Sequence, residues 1–381
     1  MARSRHRRVG AVTLATGPPP PPGVPVPGHV HVRRRTTPAV VAVLAGAALV
    51  LAACGAGTAA PNGPGGSASA VPEGPAGGTS AEPSAKPDAG GFPLSVTTCG
   101  VETTVNAPPQ RIVTIKSSAT EMVLALGAGD RLAGTAFSDG AIPTELAGAA
   151  EPPVLAEKNP SAEAVLDLEP DLVYAGWESN LSADGAGERA MYADLGIATY
   201  VAPSACKGEY QPERLTFDLV FAEIEEMGAV LGEPEAAAAL VAEQRAELEA
   251  VVPSDTGLSA LWYSSGSDTP FVGAGIGAPQ MIMDAVGLDN VAGDVADTWT
   301  SLAWEAVAER EPDVIVLVDS AWNTAANKIE VLESNPVTAA LPAVQEGRYL
   351  TVPFPATEAG VRNVGAVTDL AAQLTELEAG T

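Results

Sequence analysis

Residues 109–136 read PQRIVTIKSSATEMVLALGAGDRLAGTA, and this stretch decides the fold class. Within it, residues 111–115 (RIVTI) are a short β-branched run, which predicts a buried strand. Residues 118–127 (SATEMVLALG) follow with apolar side chains at helical spacing and end on a glycine, which predicts a helix with a glycine cap. A strand that leads directly into a helix is the repeating unit of α/β proteins.

The same alternation continues along the chain. Residues 171–176 (DLVYAG) and 197–202 (IATYVA) predict further strands with helical stretches between them. Strands are predicted again in the C-terminal half, over residues 259–264, 313–319 and 348–354. A closing helix is predicted from about residue 361 onward. Strands that alternate with helices predict mainly parallel sheets in an α/β fold.

A long helical region separates the two series of strands. Its apolar side chains follow one helical stripe: Phe217, Val220, Phe221, Ile224, Met227 and Leu231. Gly232 interrupts the stripe, and Pro234 opens a second helix that runs to about residue 251. We therefore predict an N-terminal lobe over residues 94–212, linking helices over 213–252 and a C-terminal lobe over 253–381.

The two predicted lobes share sequence. Residues 125–134 (ALGAGDRLAG) match residues 285–293 (AVGLDNVAG), and residues 163–173 (EAVLDLEPDLV) match 305–315 (EAVAEREPDVI) at six of 11 positions. Because both matches occur in the same order, two related Rossmann-like lobes are the better interpretation than chance. Such lobes leave a cleft between them, lined by the carboxyl ends of their strands.

The N-terminus predicts export. Three arginines at 33–35 precede an apolar run over residues 39–53, which closes in LAAC with Cys54 as its last residue. This arrangement is typical of a secretory signal, and the 15 apolar residues fall short of the roughly 20 that span a bilayer. Residues 1–53 are thus predicted as a signal peptide, with residues 1–31 attributed to a mis-assigned start near Val30 or Val32. Residues 54–93, rich in Gly and Pro, predict a disordered tether.

Charge and composition exclude several classes of function. The chain has 20 basic and 47 acidic residues, and all three of its histidines lie in the first 31 positions. Cleavage before Cys54 removes seven basic residues and leaves a formal charge of −34 with no histidine. Nucleic acid would be repelled, and histidine-dependent metal binding or hydrolysis has no residue to perform it.

Two cysteines remain after Cys54, namely Cys99 and Cys206. An even pair in an oxidising compartment favours a disulfide. A reactive thiol is the alternative, which the lack of a C-x-x-C motif and of a nearby histidine disfavours.

Several linked motifs carry a resemblance to a known family. They are residues 109–136, PSAEAVLDLEPDLVYAG, LGIATYVAP, FVGAGIGAPQMIMDAVGLDNV and LAWEAVAEREPDVIVL. From about residue 96 onward the chain resembles the helix-linked solute-binding proteins of ABC importers, which serve ferric siderophores, cobalamin and related chelates. The end of the apolar run likewise resembles a bacterial lipobox, which implies lipidation of Cys54. The resemblance implies two lobes bridged by a long rigid helix and delivery of a captured ligand to a permease dimer with its ATPase.

The resemblance also implies two docking residues. In such proteins one glutamate on each lobe docks into arginines of the permease, and the matching positions are Glu163 and Glu305. A glutamate in the first turn of a helix also interacts favourably with the helix dipole, so each residue can serve both roles.

Candidate ligand-binding residues are aromatic or basic side chains in loops at the ends of strands: Lys116, Phe137, Lys158, Trp177, Tyr263, Trp299, Trp322, Phe354 and Arg362. The resemblance points to Trp299 and Arg362, whose positions line the cleft in the family. If Lys116, Lys158 and Arg362 converge, the ligand is anionic. No catalytic residue, metal ligand or cofactor is predicted, and any metal arrives already chelated.

The leading hypothesis is therefore a monomeric, lipid-anchored and non-catalytic capture protein for an iron–siderophore-type chelate. A corrinoid or a phosphate-bearing deazaflavin cofactor precursor is the alternative ligand. An exported enzyme that uses a carboxylate pair such as Asp139 and Glu157, or a ligand sensor, is the alternative of another class.

Overall fold

The computed structural model describes residues 91–148 and 152–380. The described chain opens with an antiparallel hairpin of strands β1 (Leu94–Thr98) and β2 (Val101–Val105). Its turn consists of Cys99 and Gly100, which both have positive φ. A two-residue hairpin turn with positive φ at both positions matches the right-handed twist of the flanking strands. A Cβ at Gly100 would lie 2.3 Å from the ring of Tyr210, so only glycine fits there.

The N-terminal lobe is built on a five-stranded parallel sheet. Its strands are β3 (Ile112–Ile115), β4 (Leu132–Ala136), β5 (Val154–Ala156), β6 (Leu172–Ala175) and β7 (Ala198–Val201). They lie in the order β5-β4-β3-β6-β7. Every residue of β3, β6 and β7 is buried, because helices and loops cover both faces of a parallel sheet.

Three helices connect these strands: α1 (Ser117–Ala125), α2 (Ala162–Leu166) and α3 (Arg189–Asp194). Buried Arg189 joins the hairpin to the sheet, since its guanidinium donates hydrogen bonds to the carbonyl oxygens of Thr98 and Thr199. The loops at the carboxyl ends of these strands form one wall of the cleft described below.

The link between the lobes is a pair of helices, α4 (Phe217–Leu231) and α5 (Pro234–Ala250). The two helices pack against each other. Helix α4 also packs against α1 of the N-terminal lobe, and α5 packs against the C-terminal helix of the chain. Gly232 ends α4 with φ +74°, and Pro234 begins α5 in the first-turn position that suits proline.

The C-terminal lobe contains a six-stranded mixed sheet. Its strands are β8 (Ser259–Ser265), β9 (Phe271–Gly273), β10 (Asp289–Asn290), β11 (Trp299–Ser301), β12 (Val314–Asp319) and β13 (Tyr349–Pro353). The order is β11-β9-β8-β12-β13, with β10 beside β8. Strands β8, β10, β12 and β13 run parallel, whereas β9 and β11 form antiparallel pairs at one edge.

Five helices complete this lobe: α6 (Ala278–Val286), α7 (Trp304–Glu309), α8 (Ala325–Ser334), α9 (Pro342–Gln345) and α10 (Asn363–Ala379). The stretch GAGIG at 273–277 is a tight turn before α6. A Cβ at Gly275 would lie 2.3 Å from the carbonyl oxygen of Gly293, so these glycines permit a close backbone approach.

The predicted α/β fold is confirmed, with mainly parallel sheets. The hairpin β1–β2, the parallel strands β4, β5 and β10 and the antiparallel strands β9 and β11 were not predicted from the sequence. The predicted signal peptide, Cys54 and nearly all of the predicted tether lie outside the described residues. Among the helices of the described part of the chain, none has the length and apolarity needed to cross a membrane.

Candidate functional site

A cleft of about 660 Å³ lies between the two lobes. The N-terminal lobe contributes loops that follow β6 and β7, including Trp177 and Lys207. The C-terminal lobe contributes Trp299 from β11, Phe271 from β9 and Phe354 directly after β13. The cleft therefore lies where the resemblance places the ligand, and most of its lining is apolar.

Aromatic pairs build the walls of the cleft. Phe271 and Trp299 are stacked, with ring centroids 5.7 Å apart and planes inclined by 15°. Trp177 packs edge-on against Phe137 at 5.6 Å, and Phe354 packs edge-on against Trp322 at 5.1 Å. Phe271 and Trp299 both line the cleft, whereas in the other two pairs Phe137 and Trp322 support the ring that lines it, which fixes the orientation of that ring.

Lys116 lies beneath the cleft and is fully buried. Its ammonium group forms an ion pair with buried Asp139 and lies 3.6 Å from the ring centroid of Trp177. Burial lowers the pKa of Lys116 and raises the pKa of Asp139, while the attraction between the two charges opposes both shifts. The cation therefore supports the indole ring from below and is neutralised by its own carboxylate.

Local backbone geometry permits this arrangement. Lys116 precedes α1 with φ +87°, an unusual conformation for a residue with a side chain. Gly176 lies next to it, and a Cβ at Gly176 would come within 2.8 Å of the Cβ of Lys116. Glycine is therefore required before Trp177 for the two loops to pack together.

Glu358 and Lys207 join the lobes at the cleft. Trp177 Nε1 donates a 3.0 Å hydrogen bond to Glu358 Oε2, and Lys207 Nζ donates one of 3.2 Å to Thr298 Oγ1. Burial raises the pKa of Glu358, opposed by the charge of Lys116 and by the hydrogen bond from Trp177. The backbone N–H of Lys207 also donates to Glu178 Oε2 at 2.8 Å.

The structure brings some of the predicted ligand residues together. Trp177, Trp299 and Phe354 line the cleft, and Lys116 and Phe137 contact Trp177 from behind. Trp322 is 59% exposed and reaches the cleft only through Phe354.

Tyr263, Lys158 and Arg362 do not line the cleft. Tyr263 is buried against Trp304 in the core of the C-terminal lobe and donates to the carbonyl oxygen of Gly266 at 2.7 Å. Lys158 is exposed between β5 and α2. Arg362 forms a two-fold charged hydrogen bond with buried Glu121 and donates to the carbonyl oxygen of Ala141 at 2.8 Å.

The expected convergence of three cations is therefore not found. Lys116 is paired with Asp139, Lys158 is exposed and does not line the cleft, and Arg362 lies at a separate groove between α5 and α10. The physical reason is that burial demands a counter-charge: buried Lys116 pairs with Asp139, and Arg362 pairs with the buried carboxylate of Glu121. An anionic ligand was predicted only if these three cations converged, and in the structure they do not.

Sequence reasoning missed several residues that line the cleft: Phe271, Lys207, Glu178 and Glu358. Lys207 directly follows Cys206, so the predicted disulfide was a signal for a fixed loop at this point. Phe271 and Glu358 gave no comparable signal, because their approach to the cleft depends on how distant loops of two lobes meet.

The two glutamates predicted to dock the permease occupy equivalent places. Glu163 lies in the first turn of α2 and Glu305 in the first turn of α7, and both side chains are exposed. The hydroxyl of Ser161 caps α2 by accepting a 3.2 Å hydrogen bond from the backbone N–H of Ala164. One exposed carboxylate per lobe at the start of matching helices suits a partner with two related halves.

The predicted disulfide between Cys99 and Cys206 is present and joins the tip of the β1–β2 hairpin to the loop after β7. Asp139, considered above as half of an acid–base pair, is bound to Lys116 and not to Glu157, which is exposed. Over residues 91–148 and 152–380 no three His, Cys, Asp or Glu side chains are grouped as metal ligands would be.

The fold and the cleft are those of a bilobal solute-binding protein. Residues 112–356 match the model of the periplasmic binding protein family, and the chain belongs to this family.

Similar proteins support the same class. The uncharacterized ABC transporter substrate-binding lipoprotein YvrC of Bacillus subtilis is 26% identical over 303 residues, which cover 75% of this chain and 87% of YvrC. A cobalamin-binding protein of Halobacterium salinarum is 28% identical over 227 residues, 56% of this chain and 55% of that protein. The crystal structure of an ABC-type Fe3+-hydroxamate transport system from Saccharomonospora viridis is 27% identical, with a TM-score of 0.64 over 74% of this chain and 99% of the other.

Proposed function

We propose that this protein is the substrate-binding component of an ABC importer that captures an iron–siderophore-type chelate outside the cytoplasm. The observation that carries the proposal is the cleft between the lobes, whose walls are formed by Trp177, Phe271, Trp299 and Phe354. Flat aromatic faces bury the organic surface of a rigid chelate, which is the main source of affinity in an apolar pocket. The Fe3+-hydroxamate transport protein that shares this fold supports the same class of ligand.

In this proposal the protein binds but does not catalyse. The metal arrives inside its chelate, and no resident cofactor takes part. Hydrogen bonds between the lobes, from Trp177 to Glu358 and from Lys207 to Thr298, hold the cleft in its binding geometry. A preformed cleft binds with little ordering cost, because its side chains are already fixed.

Delivery of the bound ligand to the permease depends on two exposed glutamates. The loaded protein, a monomer anchored by a lipid on Cys54, presents Glu163 and Glu305 to arginines of the permease dimer. Because charged rim contacts favour orientation and the rate of encounter, docking does not need a large apolar interface. The ATPase bound to the permease then supports transport of the ligand.

Tryptophan fluorescence of the purified full-length chain tests the proposal. Titration with a ferric trihydroxamate complex is expected to quench the signal saturably, since Trp177 and Trp299 line the cleft. Trp299→Phe should remove a large part of the quenching, whereas Trp304→Phe should leave it unchanged, because Trp304 is buried in the C-terminal lobe and donates to the carbonyl oxygen of Ser267. Absence of saturable binding would refute the ligand class.

A corrinoid is the second candidate ligand, which the cobalamin-binding relative favours. Parallel titrations with cobinamide and with a phosphate-bearing deazaflavin precursor distinguish the three ligands by affinity. Uptake of labelled ligand in cells that hold the permease distinguishes an importer from a sensor, and an unchanged ligand after release distinguishes either from an enzyme.

A further inference from the structure

Acidic groups outnumber basic groups among the ionisable side chains that line the cleft. Within the described part of the chain they are two carboxylates, Glu178 and Glu358, and one ammonium group, Lys207. Each carboxylate accepts one hydrogen bond from the protein, Glu178 from the backbone N–H of Lys207 and Glu358 from Trp177 Nε1. An ionised carboxylate has about four acceptor positions, so both retain capacity for a ligand.

Lys116 does not reverse this balance. Its ammonium group is buried under Trp177 and forms an ion pair with Asp139, which is equally buried. The pair is neutral as a unit, and the indole ring of Trp177 covers the cation. A ligand in the cleft therefore faces the carboxylates more directly than it faces this lysine.

The aromatic walls favour positive charge as well. The faces of aromatic rings carry negative potential, which attracts ammonium groups and repels anions. The protein itself uses this effect, since Lys116 Nζ lies 3.6 Å from the centroid of Trp177 and 4.3 Å from that of Phe137. Trp299 and Phe271 present further rings on the opposite lobe.

We propose that the cleft selects chelates with a neutral or positive charge, and that Glu358 and Glu178 accept hydrogen bonds from a protonated amine of the ligand. This inference rests on the proposed function and narrows its ligand class. Ferric trihydroxamates fit the charge requirement, since three hydroxamate anions neutralise one ferric ion and a side-chain amine adds a positive charge. Carboxylate-rich and catecholate complexes are anionic and are selected against.

A matched series of ligands tests the inference on the full-length wild-type chain. The series consists of one linear ferric trihydroxamate with a free terminal amine, its N-acetyl derivative and its N-succinyl derivative, with charges of about +1, 0 and −1 that leave the iron centre unchanged. We expect the amine complex to bind about tenfold more tightly than the succinyl complex, with the acetyl complex between them. The difference should shrink in high salt, because salt screens charge.

Two variants locate the effect. Glu358→Gln keeps an oxygen that accepts from Trp177 but removes the charge, and it should lower affinity for the amine complex by about tenfold while changing the acetyl complex less than twofold. Glu178→Gln is a second variant of the same kind. Glu249→Gln, on the exposed face of α5, removes the same charge from a remote place and should change neither affinity.

The outcomes separate the two proposals. Equal binding of the three complexes, or tighter binding of the succinyl complex, would overturn the charge selection and leave the proposed function intact. Failure of all three complexes to bind would overturn the proposed ligand class and the charge selection together. A preference for the amine that both glutamine variants retain would overturn the assignment to Glu358 and Glu178.

Discussion

Trp177 of the N-terminal lobe and Glu358 of the C-terminal lobe share a hydrogen bond of 3.0 Å between Nε1 and Oε2. The bond joins residues 181 positions apart, and both of them line the cleft. Since Lys116 lies under the same indole ring, one side chain connects the buried ion pair, the cleft and the opposite lobe. The lining of the cleft is therefore a product of both lobes and not of either one alone.

Replacing Lys116 should destabilise the protein strongly. Lys116→Met leaves Asp139 buried without its partner, which costs about 3–5 kcal/mol. Urea unfolding measures the loss, and Asp139→Asn in the same chain should restore part of it by removing the unpaired charge. Lys158→Met is the matched control, because Lys158 is exposed and its loss should change stability by less than about 0.5 kcal/mol. Similar effects of the two lysines would contradict the structure.

Arg362 should behave as a structural residue and not as a ligand residue. Its guanidinium binds Glu121, whose side chain is 1% exposed, and neither residue lines the cleft. Arg362→Met should lower the free energy of unfolding by about 3 kcal/mol and change ligand affinity by less than about threefold. A double-mutant cycle with Glu121→Gln should give a coupling of about 1–3 kcal/mol. A large loss of affinity without loss of stability would instead make Arg362 a ligand contact.

Glu223 should make stability depend on pH. Burial on α4 raises the pKa of its carboxyl from 4.5 to about 7. Between about pH 4.5 and pH 7 the folded chain holds a proton on Glu223 that the unfolded chain has lost. The contribution of this group to the free energy of unfolding is therefore fully present below about pH 4.5 and is lost as the pH rises to about 7. The total loss is about 3 kcal/mol.

The variant Glu223→Gln isolates this effect. It should be about as stable as the wild type at about pH 5 and more stable at about pH 8, as measured by urea unfolding. Glu225→Gln, on the exposed face of the same helix, is the control and should follow the wild-type profile. Parallel profiles for Glu223→Gln and the wild type would show that this carboxyl does not titrate in the window.

The disulfide should contribute a large share of the stability. It closes a loop with a sequence separation of 107, for which the chain-entropy model gives about 4–5 kcal/mol. The double variant Cys99→Ala, Cys206→Ala should lose about this amount in urea unfolding. Wild-type protein under a reducing agent should match the double variant, while the double variant should not respond to the reducing agent.

Charge reversal at the proposed docking residues should separate transport from binding. Glu163→Lys together with Glu305→Lys should abolish uptake of ligand in cells that hold the permease, because both exposed carboxylates are proposed to meet arginines. Ligand affinity should stay within about twofold, since neither residue lines the cleft. The matched control is Glu102→Lys with Glu333→Lys, one exposed glutamate on each lobe. Normal uptake by the first pair would refute docking at these positions.

Local patterns predicted the linking helices, the closing helix and the strands β3, β6, β7, β8, β12 and β13, but not the other strands. Helix α4 was predicted over the residues that form it, because its apolar stripe begins at Phe217 and Gly232 marks its end, and Pro234 marks the start of α5. The strands β9 and β11 were not recognised, since each has only three residues and their pairing joins segments about 28 positions apart. Short antiparallel edge strands carry too few residues for periodicity to identify them.

The aromatic lining of the candidate site was predictable from the sequence, but the partners of its charged residues were not. Trp177, Trp299 and Phe354 stood out as aromatic residues at strand ends, and all three line the cleft. The charged residues were harder, because a basic residue in a loop can face a ligand or a buried carboxylate equally well. Which of the two occurs at Lys116 and Arg362 depends on Asp139 and Glu121, whose proximity only the folded chain establishes.

The position of the disulfide has a mechanical consequence. Strand β1 comes first in the described chain, so tension applied from the N-terminal side would peel it from β2 one hydrogen bond at a time. Peeling stops at Cys99, where the covalent bond to Cys206 carries the load after about 17 Å of chain has been released. The force then enters the lobe at Cys206, directly before Lys207, which lines the cleft.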